Sequence, residues 1–106
     1  MKNTEKKIQQ LQMIEQSLSS LLQQRQKFQA QLIETDSAME ELKDTPQAYK
    51  IIGNIMIKAS SGDLISELSE KKKIIELRIK SLEKQEAQLK ERAASMQSEV
   101  MKELQK

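Results

Sequence analysis

The sequence contains no cysteine and no histidine, one proline, two glycines and only two aromatic residues, Phe28 and Tyr49, in 106 positions. The missing thiol and imidazole groups exclude disulfides, zinc sites and most nucleophilic or general-base catalysis. So few aromatic side chains also argue against a compact core with an enclosed, dry pocket. We therefore expect a protein that is not an enzyme and that uses no cofactor or metal. The scarcity of helix breakers favours long helices or a coiled coil.

Basic and acidic residues are balanced and mixed, with 18 Lys and Arg against 16 Asp and Glu and a net charge of +2. The short basic run Lys71-Lys72-Lys73 has Glu67, Glu70 and Glu76 at helical spacing, which favours ion pairs along a solvated face over a phosphate site. The longest apolar run, Ile55-Met56-Ile57, is too short to span a bilayer, and the first residues lack the apolar stretch of a signal peptide. We expect a cytoplasmic protein that binds neither nucleic acid nor membrane.

Two long segments repeat apolar residues with alternating spacings of three and four. The first series is Leu11, Ile14, Leu18, Leu21, Arg25, Phe28, Leu32, Thr35, Met39 and Leu42. The second series is Ile65, Leu68, Lys72, Ile75, Ile79, Leu82, Glu86, Leu89, Ala93, Met96, Val100 and Glu103. This period of about 3.5 residues is typical of the seam of a left-handed coiled coil. It predicts two long helices that pack on each other.

The segment between the two series follows a different pattern. Pro46 disfavours helix at the residue before it, so the first helix should end there. The runs Ala48–Ile52 and Ile55–Lys58 are rich in β-branched residues and flank Gly53-Asn54, a pair suited to a tight primed turn. We therefore predict a β-hairpin between the helices.

The fold class expected from these patterns is mainly α, a long antiparallel two-helix coiled coil with one β-hairpin at the helix-helix connection. We expect a single domain over residues 1–106. The expected elements are a first helix at about 4–44, a hairpin at about 48–59 and a second helix at about 62–105. The segment Ser60-Ser61-Gly62-Asp63 supplies candidates for the N-cap of the second helix, and Ser61 or Asp63 is favoured.

The register of the helix pair follows from the two seams. They face each other when paired residue numbers sum to 107, which places Leu18 opposite Leu89. Arg25 and Glu86 then fall in adjacent layers, and we predict that they form an ion pair that helps to set the register. The alternative is that both side chains extend to solvent.

Two groups of apolar residues have no obvious partner within the chain. The hairpin is marginal as an isolated ribbon, so we expect other chains to complete it in a shared sheet or barrel; the alternative is a loop that folds back on the helices. The other group lies near both termini, where flexible Met side chains suit weak contacts with many apolar surfaces. Ordinary helix-end packing is the alternative for that group.

The hairpin also carries a family resemblance. The segment Tyr49-Lys50-Ile51-Ile52-Gly53-Asn54-Ile55-Met56-Ile57-Lys58, set between two coiled-coil helices, resembles the β-class subunit of prefoldin. The most specific part is Tyr-Lys, two residues, Gly, one residue and an apolar run, followed by a capped heptad helix. The resemblance covers essentially the whole chain.

What the resemblance implies is a hexamer of two α-class and four β-class chains, so that the partners are an α-class prefoldin subunit and further copies of this chain. Their hairpins would form a central β-barrel platform from which the coiled coils extend. The implied function is that of an ATP-independent holdase, which binds unfolded client proteins at apolar coiled-coil tips and passes them to a group II chaperonin.

The resemblance also assigns residues to these two roles. The assembly hairpin comprises Tyr49, Ile51, Ile52, Gly53, Asn54, Ile55, Met56 and Ile57. The client-binding tips comprise Ile8, Leu11, Met13, Met96, Val100, Met101 and Leu104. The outermost residues, 1–7 and 102–106, are mostly polar, whereas the residues assigned to the client-binding tips are apolar. A coiled-coil scaffold or tether with one specific protein partner is the alternative function, although a tether has no need of an apolar hairpin.

Overall fold

A computed structural model describes residues 2–105; Met1 and Lys106, the two ends of the expected 1–106 domain, lie outside the described residues. The elements in chain order are helix α1 (Lys2–Lys43), strand β1 (Gln47–Ile52), strand β2 (Ile55–Ser60) and helix α2 (Ser61–Leu104). The predicted fold class, two long antiparallel helices with one β-hairpin at their connection, is confirmed. Neither helix contains, within the described residues, a segment apolar enough to cross a membrane.

Helix α1 ends just before the proline that was expected to end it. The backbone N–H of Asp44 donates to Glu41 O at 3.4 Å and that of Thr45 to Leu42 O at 3.3 Å, which tightens the last turn. The Thr45 hydroxyl also donates to Glu41 O at 3.0 Å. Because Pro46 restricts the backbone of Thr45, the helix cannot continue beyond this point.

Helix α2 starts one residue after its cap. The Asp63 N–H donates to Ser60 Oγ at 3.1 Å, so Ser60 is the N-cap. The predicted caps, Ser61 and Asp63, are wrong: both belong to the first helical turn. Ser61 instead donates its hydroxyl to Thr45 O, which ties the start of α2 to the end of α1.

The two predicted seams are the buried faces of the helices. Every residue of both series is buried or half-buried. The apolar seam residues with the least exposure are Ile14, Ile75, Ile79, Leu82 and Val100. Three polar residues, Thr4, Thr35 and Glu86, are buried with them. The spacing of three and four residues therefore identified the packing face, as expected for a coiled coil.

The chain divides into two compact units, each built from parts of both helices. Unit 1 consists of the described residues of Met1–Gln26 and Lys80–Lys106, and unit 2 is Lys27–Ile79, which includes the hairpin. Within unit 2, Lys72 Nζ lies 2.8 Å from Asp36 Oδ1, and the Arg78 guanidinium lies 5.7 Å from the centre of the Phe28 ring. Asp36 raises the pKa of Lys72, mainly through their hydrogen bond.

Unit 1 contains the predicted ion pair between the helices. Arg25 Nε donates to both carboxylate oxygens of Glu86, at 3.2 and 3.0 Å. The Glu86 side chain is only 9% exposed, and that of Arg25 is 24% exposed. The Arg25–Glu86 prediction is therefore confirmed, and the alternative of two solvated side chains is wrong.

Candidate protein-interaction sites

The hairpin of unit 2 has the ladder and turn that the sequence predicted. Strands β1 and β2 pair antiparallel, with Gln47 opposite Ser60 and Ile52 opposite Ile55. Gly53 begins the two-residue turn with a φ of 60°. A type II′ hairpin turn requires this left-handed conformation at its first central residue, and glycine adopts it without steric cost. The numbers of the paired strand residues sum to 107, the value that the sequence predicts for the helix pair.

The apolar residues of the hairpin are exposed in the single chain. Their exposed fractions are Tyr49 58%, Ile51 68%, Ile52 53%, Ile55 64%, Met56 64% and Ile57 45%. Gly53 and Asn54 form the exposed turn between them. The alternative interpretation, a loop folded back on the helices, would bury much of this surface and does not describe the hairpin.

Both faces of the ribbon are apolar near its turn. Cross-strand partners share a face, so one face carries Ile51 with Met56, and the other carries Ile52 with Ile55. Each strand has only one partner within the described residues, so each outer edge presents unpaired backbone groups. A surface with two apolar faces and two open edges suits strand addition by another chain.

One contact that sequence analysis missed holds the hairpin to α2. Lys50 Nζ donates to both carboxylate oxygens of Glu67, at 3.0 and 2.9 Å. Ala48, on the same face of β1, is buried. A groove of about 590 Å³ lies along β1, with Leu42 and Leu68 among its lining residues. The sequence could not show this contact, because spacing within an element does not reveal how far a lysine reaches toward another element.

The residues expected to bind clients fall into two groups in unit 1. Four lie off the seam and are exposed: Ile8 (41%), Met13 (66%), Met101 (57%) and Leu104 (67%). The other three lie on the seam: Leu11 and Met96 are half-buried and Val100 is buried, at 7% exposure. Met101 and Leu104 are three residues apart and so share one face of α2.

A cluster of polar side chains lies beside these residues. Lys7 Nζ donates to Glu103 Oε1 at 2.6 Å and lies 3.3 Å from Glu99 Oε2. The Thr4 hydroxyl donates to Glu103 Oε2, and Thr4 is buried. Glu103, more than Glu99, raises the pKa of Lys7 through a hydrogen bond to its ammonium group. We call Thr4, Lys7, Glu99 and Glu103 the polar latch.

Sequence analysis missed most of this latch, although a signal was present. Counting back from Leu11 by four and then three gives Lys7 and Thr4, so both continue the seam of α1. Thr4 is also the residue that the 107 register places opposite Glu103. The first predicted series begins at Leu11, so it leaves out Lys7 and Thr4, although the second series already extends to Glu103.

Four further apolar residues are exposed outside both groups: Leu22, Ile33, Ile74 and Leu77. Nothing in the sequence pattern assigned them a role, because single exposed apolar residues are common on protein surfaces. Ile33 and Leu77 are 68% and 66% exposed, close to the values for Met13 and Leu104. No group of three acidic side chains among the described residues is arranged to hold a metal ion.

Comparisons with known proteins point to one family. A family model described as "Prefoldin subunit" matches residues 5–106. The prefoldin subunit beta of Archaeoglobus fulgidus is 43% identical over 94 residues, which cover 86% of this chain and 81% of that protein. The prefoldin subunit beta of Pyrobaculum calidifontis is 37% identical over 92 residues, covering 84% and 74% of the two chains.

A solved structure gives the same result at the level of the fold. The crystal structure of the prefoldin beta subunit from Thermococcus strain KS-1 superposes with a TM-score of 0.92 at 29% sequence identity. The match covers 98% of this chain and 94% of the Thermococcus chain.

Proposed function

Because this chain belongs to the prefoldin family, as a chaperone subunit of the beta type, we propose that it is part of an ATP-independent holdase. In this proposal it binds unfolded proteins through apolar residues near its helix ends and passes them to a group II chaperonin in the cytoplasm. The observation that supports it best is the set of exposed, off-seam apolar side chains in unit 1. No step needs a catalytic residue or a cofactor.

Assembly is the role that we propose for the hairpin. Tyr49 through Ile57 would pair with the hairpins of an α-class subunit and of further copies of this chain, in a complex of two α and four β chains. Backbone pairing at the open edges would fix the relative direction of the strands in such an interface. The isoleucine faces would supply the apolar area that becomes buried in it. Residues 1–106 would act as a single prefoldin-like domain within that complex.

Client holding is the role that we propose for Ile8, Met13, Met101 and Leu104, with the seam residues Leu11, Met96 and Val100 beside them. Methionine and leucine side chains adapt to many apolar partners and gain little from any one contact. Several chains around one client supply avidity without a tight individual site. Shielding the unfolded chain lowers the concentration of free, aggregating molecules.

The direct test is light scattering from a chemically unfolded protein diluted into buffer without ATP, in the presence of this chain and an α-class partner. We expect the complex to suppress scattering. A variant with Ile8, Met13, Met101 and Leu104 all changed to Gln should suppress it much less. Ile33→Gln with Leu77→Gln is a control, because it removes from unit 2 two apolar side chains whose exposure matches that of Met13 and Leu104.

The outcomes separate the possibilities. Full suppression by the four-Gln variant would show that clients bind elsewhere. Equal losses in the variant and the control would show that general surface apolarity, and not the helix ends, holds the client. If the folded wild-type complex suppresses no scattering, the holdase proposal fails and a scaffold with one specific partner becomes the better hypothesis.

The assembly role has its own test. Ile55 is 64% exposed in the single chain, so Ile55→Asp has little to disturb there. In an assembled hairpin the new carboxylate would be buried and unpaired, which costs several kcal/mol. We expect native mass spectrometry to show loss of the complex with helical content retained. Ile33→Asp, at 68% exposure on α1, should leave the mass unchanged; an unchanged mass for Ile55→Asp would reject the platform.

A further inference from the structure

The hairpin of unit 2 is held by hydrogen bonds at its base and at one point along its length. At the base, the Ser61 hydroxyl donates to Thr45 O, which ties the start of α2 to the end of α1. Further along, Lys50 Nζ donates to both carboxylate oxygens of Glu67, at 3.0 and 2.9 Å. Apart from the Ser60 cap, this is the only hydrogen-bonded link between the hairpin and a helix among the described residues.

The two points of attachment are well separated along both elements. Glu67 lies six residues beyond Ser61, which is about 9 Å along the axis of α2. Lys50 lies three residues beyond Gln47, which is about 10 Å along β1. A tie at the base alone leaves a ribbon free to pivot. A second tie at this distance fixes the angle between the ribbon and the helix.

Apolar packing of the ribbon on the helices is incomplete. Ala48 is buried, but a groove of about 590 Å³ lies along β1, with Leu42 and Leu68 among its lining residues. Tyr49 and Ile51 also line this groove, and they remain 58% and 68% exposed. Few buried apolar contacts are therefore available to hold the angle of the ribbon, and the ion pair supplies a directional contact.

We propose that the Lys50–Glu67 pair is a positioning contact for assembly, which holds the hairpin at the angle to α2 that allows it to pair with another chain. The inference rests on the proposed assembly role of the hairpin and extends it. Lys50 shares one face of the ribbon with Ile52, and with Ile55 and Ile57 across the ladder. The attachment of Lys50 to α2 therefore decides where both apolar faces of the ribbon point.

A small change in this angle is large at the turn. Gly53 lies six residues beyond Gln47, about 20 Å along the strand, so a pivot of about 10° displaces the turn by about 3–4 Å. Adjacent strands in a ladder are only about 4.8 Å apart, and their hydrogen bonds tolerate changes of a few tenths of an ångström. A pivoted hairpin would therefore miss the register of its neighbour.

The pair is a weak contact within the single chain. Its side chains are 42% exposed for Lys50 and 56% exposed for Glu67. A contact of this kind changes the population of one orientation by about twofold to fivefold. The apparent dissociation constant of the complex rises as the fraction of chains in the competent orientation falls. We therefore expect loss of the pair to weaken assembly while the stability of the chain hardly changes.

Charge reversal tests the proposal in the full chain mixed with an α-class partner. Lys50→Glu and Glu67→Lys each replace the attraction by a repulsion of similar size, so the chain concentration at which half of the complex dissociates should rise about fourfold to tenfold. The double variant restores a pair of opposite charges and should return to within about twofold of wild type. Native mass spectrometry over a dilution series measures these concentrations. Lys73→Glu is the matched control, because it breaks the exposed Glu70–Lys73 pair within α2 and changes the charge equally.

Urea unfolding of the chain without its partner is the second readout, at a concentration where native mass spectrometry shows single chains. All four variants should keep a urea midpoint close to that of wild type, because the substituted side chains are exposed. A fall in the midpoint that parallels the loss of assembly would assign a general structural role to the pair and would overturn the proposal.

The dilution series has its own decisive outcomes. Wild-type assembly by the two single variants would overturn the proposal, and so would a double variant that assembles no better than they do. An equal loss in Lys73→Glu would show that net charge controls assembly. A wild-type chain that forms no complex with the α-class partner would instead reject the assembly role of the hairpin itself.

Discussion

The Arg25–Glu86 pair lies in the seam at positions where a coiled coil would ordinarily place leucine or isoleucine. Arg25 Nε donates to both oxygens of Glu86, and the carboxylate side chain is 9% exposed. We predict opposite effects for breaking the pair and for replacing it. Arg25→Leu should destabilise the protein, whereas Arg25→Leu with Glu86→Leu should be at least as stable as wild type.

The size of the effect follows from the exposure of each partner. Removing one member of a fully buried pair costs about 3–5 kcal/mol, and an exposed pair contributes about 0–1 kcal/mol. Because the Arg25 side chain is 24% exposed, water reaches part of the site, and we expect Arg25→Leu to cost about 2–3 kcal/mol. Glu86→Leu should cost about 1 kcal/mol or less, since the long arginine side chain can extend to solvent. In the double variant the two leucines add apolar area to the seam, which offsets the lost pair.

Urea unfolding followed by far-ultraviolet circular dichroism measures these differences without screening the charges. The four proteins form a double-mutant cycle, and we expect a coupling energy with a magnitude of about 2–4 kcal/mol. All four must be compared in the same oligomeric state, because assembly contributes to apparent stability. If Arg25→Leu is as stable as wild type, Glu86 is solvated in solution and the buried-pair argument is refuted.

Three other expectations concern register, turn and charge. Cysteines at Leu18 and Leu89 should form a disulfide within one chain under oxidation; a fully helical variant that fails to cross-link, judged by its mobility on non-reducing gels, would contradict the 107 register. Gly53→Ala should destabilise the hairpin by about 1–2 kcal/mol, seen as faster amide exchange in residues 47–60, because its φ of 60° is unfavourable for a residue with a Cβ. Acidic partners raise the pKa of both Lys7 and Lys72. The two ion pairs therefore contribute fully to stability below the pKa of an unfolded lysine, about 10.4. This contribution disappears as the pH rises through the higher pKa of the folded protein. The urea midpoint should therefore fall less between about pH 9 and pH 11 in the Lys7→Gln, Lys72→Gln variant than in wild type. An equal fall in both proteins would show that the two lysines do not have a raised pKa in the folded state.

The helices and the hairpin could be predicted because each depends on a local period. A run with spacings of three and four can bury only one face of a helix, and the β-branched runs around Gly53 can form a ladder only in one register. The Arg25–Glu86 pair followed from the same arithmetic. Once the seams face each other, residues in adjacent layers lie within reach of their side chains.

What could not be predicted depends on the geometry between elements. Ser60, Ser61 and Asp63 are all good caps, and the choice falls on Ser60 because β2 extends to that residue and leaves it in a strand conformation just before the helix. The Lys50–Glu67 contact requires the hairpin to lean toward α2, which no spacing shows. Val100 was assigned to a client-binding tip by resemblance, yet the helical period already placed it on the seam, where it is buried.

Two apolar surfaces of different chemistry remain after the helices have packed on each other. The hairpin of unit 2 presents mostly β-branched side chains, which lose little freedom on binding, and open backbone edges that pair only in defined directions. The helix ends of unit 1 present methionine and leucine beside isoleucine, on segments whose interior backbone groups are satisfied within the helix. A rigid, directional surface suits one repeated partner, and a flexible, non-directional surface suits many. The chemistry of each remaining surface therefore supports the proposed division of roles, with assembly at the hairpin and client holding at the helix ends.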